Sequence, residues 1–192
     1  MKRRWIAFAS TSLGVAALAA SAASAPASRP FPRGCSDAVF GDIGKASRWH
    51  SYSAVSGPLA LIGLRDAAHA KPAAIRAAYR KGQGAFKVLA IVLHGRAVTV
   101  SVPVAERRHV ALLYDGSRFQ QPQTVANGER AVTFRACPPA GTSTRTWREA
   151  TQWAGGVVVD GPRCVTLDVR VLPHGPSRTV RQAFGPVRCP PS

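Results

Sequence analysis

GGVVVDGPRCVTLDVRV, residues 155–171, is the most regularly patterned segment of the chain. From Val165 onward it alternates: Val165, Leu167, Val169 and Val171 fall on one face, and Thr166, Asp168 and Arg170 on the other. A period of two is the pattern of a strand with one buried face, because successive side chains of an extended chain point to opposite sides. Asp160-Gly161-Pro162 predicts a tight turn before it, with pairing running back toward Gly155-Gly156. Paired glycines there mark a bulge, a close approach by another backbone, or a ligand.

Centring the next turn, PHGPSR, between Pro176 and Ser177 sets Val169 against Phe184, Leu167 against Pro186 and Val171 against Gln182. The same register puts Cys164 opposite Cys189. Cross-strand partners lie within disulfide reach, so Cys164–Cys189 is the expected bridge, leaving Cys35–Cys137. An even count of widely spaced cysteines without a Cys-x-x-Cys pair reads as disulfides, which belong to an oxidising compartment.

The N-terminus agrees with that address. Met1-Lys-Arg-Arg is a basic start, Trp5 to Ala20 is mostly apolar, and small residues follow in SAASAPA. Residues 1–27 are therefore expected to be a signal peptide, cut after Ala22, Ala23 or Ala27, since Pro26 disfavours Ala25. The run is too Ala-rich and too short for a transmembrane anchor, and no later stretch would span a bilayer. Residues 28–34 form a Pro-rich lead, expected to be extended and mobile, and residues 35–192 a single domain. The expected location is secreted, in association with the cell envelope.

Between these ends, short β-branched runs alternate with Gly, Pro, Asp and Asn. Candidate strands are Ser53–Ile62, Phe86–His94, Ala97–Val102, His109–Tyr114, Arg130–Ala136, Gln152–Val159, Val165–Val171 and Thr179–Val187, with hairpins at residues 94–96 and 160–162. The fold class is thus all-β: an antiparallel sandwich of Ig-like or jelly-roll type with about eight strands. One segment dissents. KPAAIRAAYRKG, residues 71–82, has Pro72 for a first helical turn, helix formers through its middle and Gly82 as a stop, so it predicts one short helix near 72–81.

The signature GGxxVDGPRCVxLxV, here carried by Gly155, Gly156, Gly161, Pro162 and Cys164 and followed by FGxxxC ending at Cys189, resembles a group of uncharacterised exported β-rich proteins of high-G+C Gram-positive bacteria. The resemblance covers the last third of the chain. It implies export and a β-rich domain, and it carries no catalytic residues and no known activity.

Charge is the strongest compositional feature. Lys and Arg number 26 against 9 Asp and Glu; without Lys2, Arg3 and Arg4 the count is 23 against 9, a net charge of +14. Such a chain is drawn to anionic surfaces. The nearest approaches to clusters are Arg76, Arg80 and Lys81, and Arg107 and Arg108, which are the candidate residues for an anionic partner. Only five of the cations are Lys, and an Arg- and Ala-rich bias also follows from high-G+C coding. Without aromatic interleaving or a nucleic-acid motif, nucleic acid is disfavoured as partner.

Chemistry is harder to find. There is no G-x-S-x-G elbow, no Cys–His signature and no closely spaced pair among His50, His69, His94, His109 and His174 that would hold a metal, so no catalytic residue, metal or cofactor is expected. Of the carboxylates, Asp115, Asp160 and Glu129 read as turn residues, and Asp168 as the partner of a neighbouring Arg. Trp49, Tyr52, Trp147 and Trp153 are expected in the core or covering a strand edge, with a sugar-stacking face as the alternative. The sequence supports a non-catalytic binding or structural module for anionic cell-wall polymer. Its rivals are a small secreted hydrolase with a site assembled from distant strands, and an inhibitor-like module that binds another protein through residues 71–82.

Overall fold

The computed structural model describes residues 29–39, 53–135, 137 and 150–190. The expected signal peptide lies outside them, as do Trp49, Tyr52, Trp147 and His50. Strands supply twelve elements among the described residues: β1 (Phe31–Arg33), β2 (Ser53–Ser56), β3 (Leu59–Ile62), β4 (Ala85–Lys87), β5 (Leu89–Leu93), β6 (Ala97–Ser101), β7 (Val110–Leu113), β8 (Ala131–Phe134), β9 (Ala150–Trp153), β10 (Gly156–Val159), β11 (Arg163–Leu172) and β12 (Ser177–Phe184). They form a five-stranded sheet ordered β1-β8-β6-β11-β12, a four-stranded sheet ordered β2-β3-β5-β9, and a three-stranded sheet ordered β4-β10-β7. The fold is all-β, as the alternating pattern requires, with helix α1 (Pro72–Arg80) between β3 and β4. Pro72 opens that helix and Gly82, at φ +71°, closes it.

β11 and β12 form the long hairpin expected from the alternation, with Val165, Leu167 and Val169 buried. Its register differs. Val169 faces Arg178 and Arg163 faces Phe184, a shift of six residues from the expected pairing. The turn lies earlier: Gly175 donates to the Val171 carbonyl at 2.9 Å, and the Pro176 carbonyl accepts from the Val171 N–H at 3.3 Å, continuing the ladder. An even shift leaves every side chain on its own face, so the buried set is unchanged. Cys189 reaches Cys164 after a turn at Gly185 (φ +80°), while Ala183 takes the ladder position opposite Cys164. Both expected disulfides are present, Cys35–Cys137 and Cys164–Cys189, with Cα separations of 5.7 and 5.1 Å.

Neither short connection is a hairpin. Residues 94–96 carry the chain from β5 to β6, and residues 160–162 from β10 to β11, each between two sheets. β5 already pairs with β3 and β9, and β10 with β4 and β7, so no edge is vacant for the following strand. The unit of three strands expected around residues 155–188 is therefore two strands of one sheet joined to a third in another. Ser53–Ile62 is likewise two strands, turned at Gly57 (φ +58°) and Pro58. Phe31–Arg33 of the Pro-rich lead is a strand pairing parallel to β8.

One long ribbon links two of the sheets. β5 pairs with β9 and β4 with β10 in a single continuous register, and between them the Val88 N–H donates to the Gly155 carbonyl at 2.9 Å. At this bend Tyr114 donates its hydroxyl proton to the Val88 carbonyl at 3.0 Å, while its ring occupies the space where a Gly155 Cβ would stand. A Cβ on Gly156 would likewise stand only 2.5 Å from the Phe86 carbonyl oxygen, the close backbone approach anticipated from the paired glycines. Tyr114 packs edge-on against Phe134, which tilts onto Trp153, and the Trp153 indole N–H donates to the Gly34 carbonyl beside Cys35. These rings form the centre of one apolar core drawing on all three sheets.

Candidate functional site

The acidic side chains of the described residues are largely committed to the protein's own backbone. Asp37 accepts from the Gly34 N–H, Glu106 from the Thr166 N–H at 3.1 Å, Asp115 from Ser117 and Glu129 from the Tyr114 N–H at 2.9 Å. Asp160 accepts from His109 Nδ1 at 2.5 Å and lies 2.8 Å from Arg163. Asp168 faces Ser101 and Thr179 across the ladders and, among the described residues, has no ion pair. Arg170, two residues along on the same face, stands opposite Thr99, and Arg181 opposite Thr166, and neither forms the expected ion pair with Asp168.

The cations are placed in the opposite way. Arg76 and Arg80 lie one helical turn apart on α1, exposed together with Lys81, and that helix carries no acid in its first turn. Among the described residues none of the three has a carboxylate partner. Like charges four residues apart on a helix repel, so this face favours an added negative charge. Arg108 is also exposed, whereas Arg107 is half-buried and donates through Nε to the Val102 carbonyl at 3.1 Å. The two sets belong to different elements: one to α1, the other to the turn preceding β7.

Arginines that the sequence did not single out gather elsewhere. Arg29, Arg118 and Arg130 line a hollow of about 420 Å³ together with Phe31, Pro32 and Glu129. Arg118 donates to the Asn127 carbonyl at 2.7 Å and pairs with Asp115; Arg130 donates to the Val110 carbonyl at 3.0 Å. These bonds hold both guanidinium groups in place. Burial and the neighbouring Arg107 charge pull the Arg130 pKa below its ordinary value.

Glu129, expected in a turn, is 7% exposed. Its backbone N–H and C=O both bond Leu112, which draws the side chain inward. Burial raises its pKa, offset only in part by the Tyr114 N–H and by Arg118, whose Nε stays 3.8 Å from Oε1. Asp115 behaves oppositely: burial pushes its pKa up, but the Ser117 hydroxyl and N–H and the Arg118 charge outweigh it, leaving the carboxyl below the ordinary range. No alternation runs through residues 115–130, so only the Asp115-x-Ser117 turn signal hinted at this ordered segment.

His109 and Asp160, expected at the start of a strand and in a turn, stand side by side because β7 and β10 pair up to Val110 and Val159. Arg163 occupies the other side of Asp160, so the pair ties this sheet to the start of β11. Among the described residues no hydroxyl hydrogen-bonds to His109, and no three His, Cys, Asp or Glu side chains gather as a metal site. No helix there is long and apolar enough to cross a membrane. Trp153 is buried in the core and offers no stacking face. The chain matches no family model, no curated protein and no solved structure.

Proposed function

We propose that this protein is a non-catalytic binding module working at the cell envelope, outside the cytoplasmic membrane, where it holds anionic polymer through exposed guanidinium and ammonium groups. The observation that carries this reading is the segregation of charge. Among the described residues Asp37, Glu106, Asp115 and Glu129 are turned onto backbone N–H groups, while Arg76, Arg80, Lys81 and Arg108 face solvent without carboxylate partners. Arginine suits such a surface because its planar fork matches carboxylate and phosphate oxygens. The hollow of Arg29, Arg118 and Arg130 adds guanidinium groups, those of Arg118 and Arg130 held by backbone carbonyls, where part of such a polymer would be gripped.

The test is co-sedimentation of the full chain with isolated cell walls. R76E/R80E/K81E is expected to lose most of the retention at low salt while keeping the wild-type unfolding temperature; undiminished retention would overturn the assignment of that face. The rival hydrolase has one observation in its favour, the His109–Asp160 contact. Soluble fragments released from the walls by the wild type and not by His109→Ala would establish hydrolysis and displace the binding reading.

A further inference from the structure

A second hollow lies apart from these arginines and has different chemistry. Residues 115–130 cross the outer side of the three-stranded sheet as a strap, tied down at several points. Gly84 donates to the Gln123 carbonyl at 3.2 Å and Gln123 to the Gly82 carbonyl at 2.8 Å; Asn127 Nδ2 donates to the Pro122 carbonyl at 2.8 Å. Beneath it Leu113, Val125 and Val158 form a small apolar cluster against Phe119 and Ala85. The cluster does not fill the space. A cavity of about 520 Å³ remains, walled mostly by Ala85, Leu89, Leu113, Phe119 and Ala154, with Gln123 as a neutral polar wall and Lys87 as its one charged residue.

We propose that this cavity binds an amphipathic monoanion: a molecule with an apolar chain and a carboxylate, seated with the chain against Leu89, Leu113 and Phe119 and the carboxylate at Lys87. The volume falls within the range of about 300–1,000 Å³ typical of sites for small organic ligands, which are mostly apolar with few polar groups. Lys87 is exposed and has no carboxylate partner among the described residues, so its charge is available. The walls are fixed before any ligand arrives. Lys87 and Leu89 flank Val88, which is bonded to both Gly155 and Tyr114 at the ribbon bend, and the strap is bonded through Gln123 to Gly82 and Gly84 and through Glu129 to Leu112. A preformed site spares the ligand the entropy of ordering a loop. Ala85, Ala154 and Gly155 keep the cavity open, and Gly155 is held to glycine by the Tyr114 ring.

This inference is independent of polymer binding at the guanidinium face, and the experiment separates the two. The full chain is titrated with dodecanoate and, in parallel, with dodecanol and inorganic polyphosphate, by calorimetry. Dodecanoate should bind saturably at one site, and polyphosphate should not compete with it. Lys87→Gln is expected to weaken dodecanoate about tenfold, the scale of one charge-assisted contact, while dodecanol binding is unchanged. Ala154→Leu should abolish binding of both by filling the cavity; if that variant does not fold, Leu89→Gln on the half-exposed wall takes its place and should weaken both. Absence of saturable binding, or equal dodecanoate affinity in wild type and Lys87→Gln, would overturn the proposal.

Discussion

The hairpin of β11 and β12 and the bent ribbon of β4–β5 with β9–β10 are built from the same kinds of residue and solve opposite problems. Along β11 buried and less buried residues alternate, and the outward face carries Thr166, Asp168 and Arg170. Along β9 and β10 every residue is buried. The hairpin has one face to hide and spends its other face on polar contact with the surroundings; the β9–β10 side of the ribbon is covered on both faces and contributes to the core and to the cavity beside Lys87. A buried strand without alternation signals two covered faces, and in this chain those faces belong to two different sheets.

Each region has its own disulfide, and removing them separately gives the largest effects expected. Cys35–Cys137 closes a loop of 102 residues and lies beside Gly34, to which the ribbon's Trp153 is bonded. Loop entropy predicts a loss of about 4.7 kcal/mol for C35A/C137A. The hairpin's Cys164–Cys189, separated by 25 residues, predicts about 3.5 kcal/mol for C164A/C189A. Denaturant midpoints of the two double variants measure both. Equal or reversed losses would mean that the long loop is already restrained when the chain unfolds.

The ribbon is also expected to be less tolerant of added volume than the turn that leaves it. Gly155→Ala drives a methyl into the Tyr114 ring and should destabilise by roughly 1–3 kcal/mol. Gly161→Ala meets nothing within 4 Å, and its change should stay within about 0.5 kcal/mol. Similar losses at both positions, read from urea midpoints, would remove the clamp from the ribbon bend.

A smaller effect concerns Glu129, beside the ribbon's Tyr114. Its pKa is raised in the folded protein, so the folded state holds that proton more tightly than the unfolded chain. The stability it lends is full below the ordinary Glu value, and it is lost as pH rises through the raised one. Glu129→Gln keeps a carbonyl for the Tyr114 N–H and removes the charge. The variant should therefore gain stability relative to wild type as pH rises above the ordinary Glu value of about 4.3, measured by denaturant midpoint. A growing advantage for wild type over that range would mean that Arg118 compensates the buried charge.

The hairpin was the more legible region because its information is local. Alternation from Val165 to Val171 assigns faces without reference to the rest of the chain, and an even error in register costs nothing on that score. Helix α1 was legible for the same reason, through Pro72 and Gly82. The ribbon was not, since Phe86–His94 and Gln152–Val159 read as plain strands and nothing within either segment marks the passage from sheet to sheet at Val88. Only Gly155-Gly156 signalled a close approach there, and the Tyr114 ring responsible is about forty residues away in sequence. The hollow of Arg29, Arg118 and Arg130 was invisible for a similar reason: it is assembled from the lead, the strap and β8's approach, and no spacing connects them. Arg76, Arg80 and Lys81 could be seen because a helix places neighbours in sequence on one surface.

If exposed cations hold an anionic polymer, as proposed, binding should weaken as salt screens them. Screening length falls from about 10 Å at 0.1 M to about 3 Å at 1 M ionic strength. The affinity of the full chain for immobilised polyphosphate, measured across that range, should fall steeply and be nearly lost at the upper end. Affinity that holds constant as salt rises, or no binding even at the lowest salt, would contradict the account.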